Sequence, residues 1–333
     1  MKKLTTLLFA LGYGVFMWAY DFKSGLLCYN ILSETDLTVE VTYQARSRGN
    51  YSTLAGANIP EQVTYNDKKY TVVAISDYTF QSDGGNSSSP DDNTVLTIVN
   101  IPKTVKSIGV AAFRDCTALN TVNFLGDGLI DIGNYAFYYT ISLKSIKFPK
   151  TLEKIGDYAF RNNCPSCKNY GLSGTLVIPN SVESIGKYAF ESLAISRVEI
   201  GNNVTTIGEG AFDNCKNLSS VTLGKSIVSL GKESFAYCTA LASITLPKSL
   251  KNIDDGAFKN CDNLNTVYLE SLIPPSFINT SILPSSVNNF YVPCGCAETY
   301  FLSDWITFTT NFQEQCDKKY TIYVNQDCTS SIE

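Results

Sequence analysis

Apolar residues return along most of this chain in one spacing, L-x-x-V-x-F. Examples are Leu119, Val122 and Phe124; Leu218, Val221 and Leu223; and Leu264, Val267 and Leu269. The last two of each set stand two residues apart, so in a strand they share one face while the residue between them points the other way. Pro often follows, at 102, 149, 179 and 247, and ends the strand by removing a backbone donor. A second short extended piece comes next, such as residues 104–108, and then the sequence Ile-Gly-x-x-Ala-Phe. Its Phe falls at 80, 113, 137, 160, 190, 212, 235 and 258, in steps of 33, 24, 23, 30, 22, 23 and 23. A period in the low twenties predicts a solenoid, in which each coil buries its apolar face only by stacking on its neighbours. Coils about 4.8 Å apart would give a parallel sheet roughly 40 Å long, with the Phe residues in one internal column and the Ile residues in another. The Gly after the Ile, at 109, 133, 156, 186, 208 and 231, predicts a tight turn or a close backbone approach.

The ends and two interruptions complete the pattern. Residues 1–19 open with Lys2-Lys3 and a short apolar run, which reads as a secretory signal peptide cleaved after Ala19, with an uncleaved anchor as the alternative. Residues 20–70 alternate as strands and predict an amino-terminal cap over the first coil, because an end coil otherwise exposes core. The solenoid is expected over residues 71–290, in about eight units. Residues 81–93 and 162–174 interrupt it after a repeat Phe, so both loops should leave the same side. After Leu269 the repeat decays. Residues 291–316 read as a carboxy-terminal cap, and residues 317–333, with one short strand, as a tail without an assigned role.

The full pattern, L-x-x-V-x-[IF]-P-x-[ST]-[VL]-x-x-I-G-x-x-A-F-x-x-C, resembles the BspA-like, or Treponema-type, leucine-rich repeat family over roughly residues 70 to 290. A V-P-x-G-x-x-E-x-Y stretch from Val292, followed by Trp305, is similar to the end of that family's solenoid. The resemblance implies a mainly β leucine-rich-repeat solenoid: a right-handed coil with a parallel strand sheet, short turns or 3-10 segments, and capping ends. It also implies an exported bacterial protein, often surface-associated, some of whose relatives act as adhesins for host matrix or other cells. It carries over no catalytic residues.

Composition narrows the chemistry. The net charge is −5 with no run of like charge, which argues against nucleic acid and against attachment to anionic lipid. No spanning segment follows the signal. There is no histidine, which removes His-dependent triads and the commonest zinc ligand. The carboxylate pairs Asp254-Asp255 and Asp91-Asp92 read as solvated turn residues, and Asp83, Asp91 and Asp92 lack the alternation of a calcium loop. Of the 11 cysteines, Cys116, Cys215, Cys238 and Cys261 stand three residues after the repeat Phe and Cys164 four after, as a column of small buried side chains. Cys164-Pro-Ser-Cys167 matches C-x-x-C without the strand-to-helix context of a redox enzyme, so a local disulfide or a structural thiol is the expectation. Cys294, Cys296, Cys316 and Cys328 cluster near the end, where export favours disulfides of unassigned connectivity. No cofactor, metal site or catalytic residue is expected.

Function is therefore sought on a surface. The outward strand positions are mostly Thr, Ser and Asn, with a few larger exceptions, and they suit an extended protein partner. The expected binding residues are Lys147, Arg197, Glu199, Thr222, Thr245 and Tyr268, with the two-insertion edge around Asp91 and Lys168 as the competing location. The expected role is a non-enzymatic protein that binds a host matrix or cell-surface protein from the cell surface, the extracellular space or the periplasm. The alternative is a structural spacer or stalk with no dedicated ligand.

Overall fold

The computed structural model describes residues 20–44, 51, 53–81, 95–162 and 171–316, together with the backbone of 322–324 and 330–332. The expected signal peptide, the C-x-x-C pair and Asp83, Asp91 and Asp92 lie outside the described residues. The chain forms a β-solenoid of about nine turns with almost no helix. Among the described residues no helix is long and apolar enough to cross a membrane.

Each coil has three sides, and each side has its own backbone ladder. The first carries the long anchor strands, such as Ile98–Pro102 against Thr121–Leu125, in parallel register Val99 to Val122 and Ile101 to Phe124. The second carries two-residue strands, such as Ser107–Ile108, Asp131–Ile132 and Lys154–Ile155, paired in register from coil to coil. The third is the turn after the Gly, where Ala111 N–H donates to Asn134 O at 2.9 Å and Phe113 N–H to Ala136 O at 2.8 Å.

The continuous sheet differs from the expected one. The two-residue strands form the unbroken ladder from Lys68–Ile75 to Ser276–Phe277. The longer anchor strands divide into three separate sheets. One division falls at residues 143–149, which form no strand. They lie between the strand Thr121–Leu125 and the strand Ser173–Val177 that follows the second insertion, where Ser173 N–H still donates to Lys144 O at 2.9 Å. The short strands keep their pairing across both insertions, which enter outside them.

Phe80, Phe113, Phe137, Phe160, Phe190, Phe212, Phe235 and Phe258 make one interior column. Successive ring centroids are 5.0 to 5.6 Å apart and within 13° of parallel. Offset stacking at this spacing adds to the gain from burying each ring. Tyr51 continues the column beyond Phe80 at 5.0 Å, and its hydroxyl donates to Thr42 O at 2.7 Å while accepting from Cys28 N–H at 2.9 Å. The antiparallel strands Phe22–Ser24, Leu27–Ser33 and Thr38–Thr42 lie over that end.

The solenoid does not stop where its sequence signal fades. Ser276–Phe277 pairs with Asn252–Ile253, and Ile282 takes the next place after Phe258, whose N–H donates to Ile282 O at 2.9 Å. Trp305 then closes this end, its Nε1 donating to Pro275 O at 2.8 Å, and Tyr300 Oη donates to Ser271 O at 2.8 Å. A disulfide between Cys294 and Cys316 supplies the connectivity that spacing left open.

Among the described residues, the four repeat cysteines are buried, and each does more than fill space. Cys116, Cys215, Cys238 and Cys261 donate S–H to the carbonyl of the preceding coil's Phe, at 3.1 to 3.3 Å. Burial pushes the Cys116 and Cys215 thiols up, Cys215 to about 12, which keeps them protonated and unreactive.

Candidate functional site

Two sides of the coil carry side chains that could recognise a partner. On the anchor-strand side, Arg197 and Glu199 project from Ala194–Glu199, and both are exposed. Registers set Arg197 beside Ser220 and Glu199 beside Thr222. Farther along, Thr245 lies beside Tyr268 and Tyr268 beside Tyr291. Tyr268 is half-buried because its ring stacks on Tyr291, with centroids 4.9 Å apart and planes 16° from parallel. The structure thus brings Arg197, Glu199 and Thr222 together on one sheet and Thr245 and Tyr268 on the next. Lys147 is exposed but lies in the strandless coil, outside both sheets. Nearer the amino terminus the same face is closed on itself. Asn123 Nδ2 donates to Asn100 Oδ1 at 2.8 Å, and Asn100 Nδ2 donates to Asn58 Oδ1.

The turn side holds a second cluster, formed by residues that were not singled out from the sequence. Two places before the repeat Phe stand Tyr135, Tyr158 and Tyr188, in left-handed backbone at φ 58°, 58° and 52°. Left-handed backbone costs a side chain roughly 1–2 kcal/mol, so the packing around these rings must offset it. The three rings stack, Tyr135 on Tyr158 at 4.7 Å and Tyr158 on Tyr188 at 5.2 Å. Arg161 lies against Tyr158 and Tyr188, its guanidinium carbon 5.3 and 5.8 Å from their centroids. Its Nη2 donates to Glu191 Oε1 at 3.0 Å, and its Nε is 2.7 Å from Oε2. Arg114 lies over Tyr138 in the same way, at 5.3 Å. The signal was present in the repeat, since Tyr78, Tyr135, Tyr158 and Tyr188 fall in one register.

Glu191 and Asp213 follow Arg161 at the same place in the next two coils. Burial raises the Glu191 carboxyl against the pull of Arg161. The Asp213 carboxyl is pushed up to about 6, by burial first and then by the charges of Glu191 and Glu233. A carboxyl raised on folding favours the folded state below its unfolded pKa, near 4, and that contribution is lost as pH rises through about 6. Asp213→Asn is therefore expected to raise the melting temperature at pH 7 and leave it nearly unchanged at pH 4. Thermal melts of the two proteins at both pH values check this, and an equal shift at both would locate the effect elsewhere.

This architecture defines a leucine-rich-repeat solenoid. The family model for the BspA type leucine rich repeat region matches residues 92–177 and 167–283, in six copies, and the chain belongs to that family. Among solved structures, a T. pallidum leucine-rich repeat protein is 28% identical with a TM-score of 0.52, covering 65% of this chain and 88% of its own. A leucine-rich repeat protein from Bacteroides ovatus is 23% identical with a TM-score of 0.34, covering 89% of this chain and 100% of its own. A leucine-rich cell surface protein from Faecalibacterium prausnitzii is 22% identical with a TM-score of 0.31, covering 89% of this chain and 95% of its own. No curated protein matches this chain.

Proposed function

We propose that this chain is an exported, non-enzymatic binding protein whose anchor-strand side holds another protein at the cell surface, in the manner of an adhesin for host matrix or other cells. The observation that carries this reading is a pair of groups on one side of the coil, the exposed Arg197, Glu199 and Thr222 in parallel register on one sheet and Thr245 with the stacked pair Tyr268 and Tyr291 in parallel register on the next. A rigid repeating sheet suits an extended partner, and an Arg and a paired Tyr on a field of small side chains have the composition of interface hot spots. Lys147 stands at the margin of this surface. Export is supported by the Cys294–Cys316 disulfide, a bond of oxidising compartments, and by the charged and apolar start of the sequence. The spacer reading finds its support in the self-bonded Asn58, Asn100 and Asn123 row, which leaves that stretch few groups for a partner.

The test is a pull-down of the protein against matrix and bacterial surface extracts, followed by affinity measurements with the partner it retains. Arg197→Ala and Tyr268→Ala should each weaken binding by roughly thirtyfold, about 2 kcal/mol, without loss of fold. Deleting residues 82–92 should leave binding intact. Silent substitutions with loss on the deletion would move the site to the insertion edge, and no retained partner would favour the spacer.

A further inference from the structure

The sequence leaves residues 317–333 without a role, and the end of the solenoid from which they depart carries a concentration of uncovered apolar side chains. Six of the fourteen exposed large apolar residues among the described residues lie within 272–306: Leu272, Ile273, Ile278, Phe301, Leu302 and Ile306. Ile273, Ile278 and Leu302 are 78%, 82% and 76% exposed. The two segments that carry them pack on each other. Trp305 Nε1 donates to Pro275 O at 2.8 Å, Tyr300 Oη donates to Ser271 O at 2.8 Å, and the rings of Phe277 and Trp305 are 5.6 Å apart. Beside Phe301 opens a cleft of about 300 Å³, lined by Ala297, Glu298, Thr310, Asn311 and Phe312. Single apolar residues on a surface need no explanation, but a concentration of them marks a surface that something covers.

The chain beyond Cys316 has the means to cover it. Tyr320, Thr321, Ile322, Tyr323 and Val324 are all β-branched or aromatic, the composition of a strand. Ile322–Val324 pairs antiparallel with Ser330–Ile332, Ile322 opposite Ile332, and this hairpin joins no other sheet among the described residues. A two-stranded hairpin alone is marginally stable in water and needs an apolar surface to pack on. One lies within reach. The tail leaves from Phe312–Gln315, where the Phe312 ring lies 5.8 Å from that of Tyr300, the neighbour of Phe301, and Glu314 Oε1 accepts from Ala297 N–H at 3.0 Å. The Cys294–Cys316 disulfide fixes the point of departure. Ile322 stands six residues after Cys316, a reach of about 20 Å at full extension.

We propose that residues 317–333 fold back as a hairpin onto the apolar surface of residues 272–278 and 301–306 of the same chain and complete the cap at this end of the solenoid. The tether selects the occupant. It holds the tail beside the surface at an effective concentration on the order of millimolar, ahead of a free partner of similar affinity. Each side also lacks what the other supplies: the hairpin has no third layer to pack on, and the surface has apolar side chains with nothing over them. Trp305 and Tyr300 close the core at this end, and the hairpin covers the residues that they leave outside. The two ends of the solenoid would then be closed alike, since antiparallel strands Phe22–Ser24 and Leu27–Ser33 already lie over the first coil. The proposal does not rest on the anchor-strand binding surface.

The test is amide hydrogen exchange, read by mass spectrometry, on the full chain and two variants, with circular dichroism to verify the fold of each. The first variant is Ile273→Asp with Leu302→Asp, both at exposed positions. The second is Ile322→Asp with Val324→Asp. In the unaltered protein the amides of 322–324 and 330–332 should exchange at least about tenfold more slowly than in an unstructured chain, and equally at about 1 μM and about 100 μM protein. The first variant should bring them to within about twofold of the unstructured rate, because a hairpin alone does not hold. The second variant should raise the binding of an apolar dye several-fold, because it uncovers the surface. Tail amides that exchange at the unstructured rate in the unaltered protein, or protection that survives the first variant, would overturn the proposal. Protection that rises with concentration would put a neighbour's tail on the surface and overturn it too. So would a dye signal unchanged by the second variant, the readout that stands even if the first variant fails to fold.

Discussion

Phe212→Ala should lower the stability of the protein by about 4 kcal/mol, at the upper end of what a single side chain controls. Phe212 is fully buried, with Phe190 5.4 Å away on one face and Phe235 5.2 Å away on the other, each within 13° of parallel. Truncation removes both stacking contacts, and the space cannot collapse, because the coils on either side are held in place by the short-strand ladder and the turn ladder. Cys238 also donates to the Phe212 carbonyl, which fixes the backbone that would have to move. A repeat array transmits stability through neighbouring interfaces, so weakening a middle coil also uncouples the two halves. Denaturant titration should therefore show a lower midpoint and a broader or divided transition. Phe124→Ala, at a half-buried anchor, is the control and should cost much less. A loss below about 1 kcal/mol at Phe212 would mean that the column is not packed as described.

The interior of this fold was legible because one constraint is repeated eight times. A column position admits only a side chain that fits between identical neighbours, so Phe113 and Phe212 report the same environment and the period stands out. The ninth coil was not legible. Its column place is held by Ile282 and its short strand by Ser276–Phe277, and neither keeps the Ile-Gly or Ala-Phe signature. The division of the anchor strands was also hidden, since strand pairing depends on the register of both neighbours and the anchor spacing is retained at Leu143, Ile146 and Phe148 although no strand forms there.

The candidate surfaces were legible in a different degree. Alternation sends Arg197 and Glu199 outward from their strand, as expected, but says nothing of Tyr291, which half-buries Tyr268 from the adjacent strand. The tyrosine ladder escaped because left-handed turn positions ordinarily favour Gly or Asn. Here Gly210 and Gly256 hold the same place in two coils while Tyr holds it in others. Tyr135, Tyr158 and Tyr188 stack on one another there, whereas Tyr78 keeps the same left-handed backbone with Ala111 at that place in the next coil, so composition and spacing do not reveal the ladder.

Gly186→Ala should cost at least about 2 kcal/mol, although alanine ordinarily stabilises a position whose backbone suits it by about 0.4–1 kcal/mol. The backbone is not the obstacle, because Gly186 is absent from the left-handed residues. The obstacle is the preceding coil. A Cβ at Gly186 would lie 2.5 Å from Gly156 C, 2.6 Å from Asp157 N and 2.7 Å from Asp157 Oδ1. Two of these atoms are backbone, and the carboxylate is held by the Lys187 N–H at 2.7 Å. Relief requires the coils to separate, which strains the Lys154 to Ser184 and Ile155 to Ile185 pairing. Of the two readings of the repeat glycine, close approach is the one realised. The protein contains its own comparison: Asp254 stands at this place in the eighth coil, and the ring step into that coil, Phe235 to Phe258, is the widest of the column at 5.6 Å. Separation of that kind is tolerable near an end and not in the middle, where coils on both sides would have to follow. Gly174→Ala is the contrasting variant. Its left-handed φ of 69° carries a strain of roughly 1 kcal/mol, but nothing lies within 4 Å of the added carbon. Chemical denaturation of both should show Gly186→Ala the more damaging. Equal losses would return the repeat glycine to a conformational role.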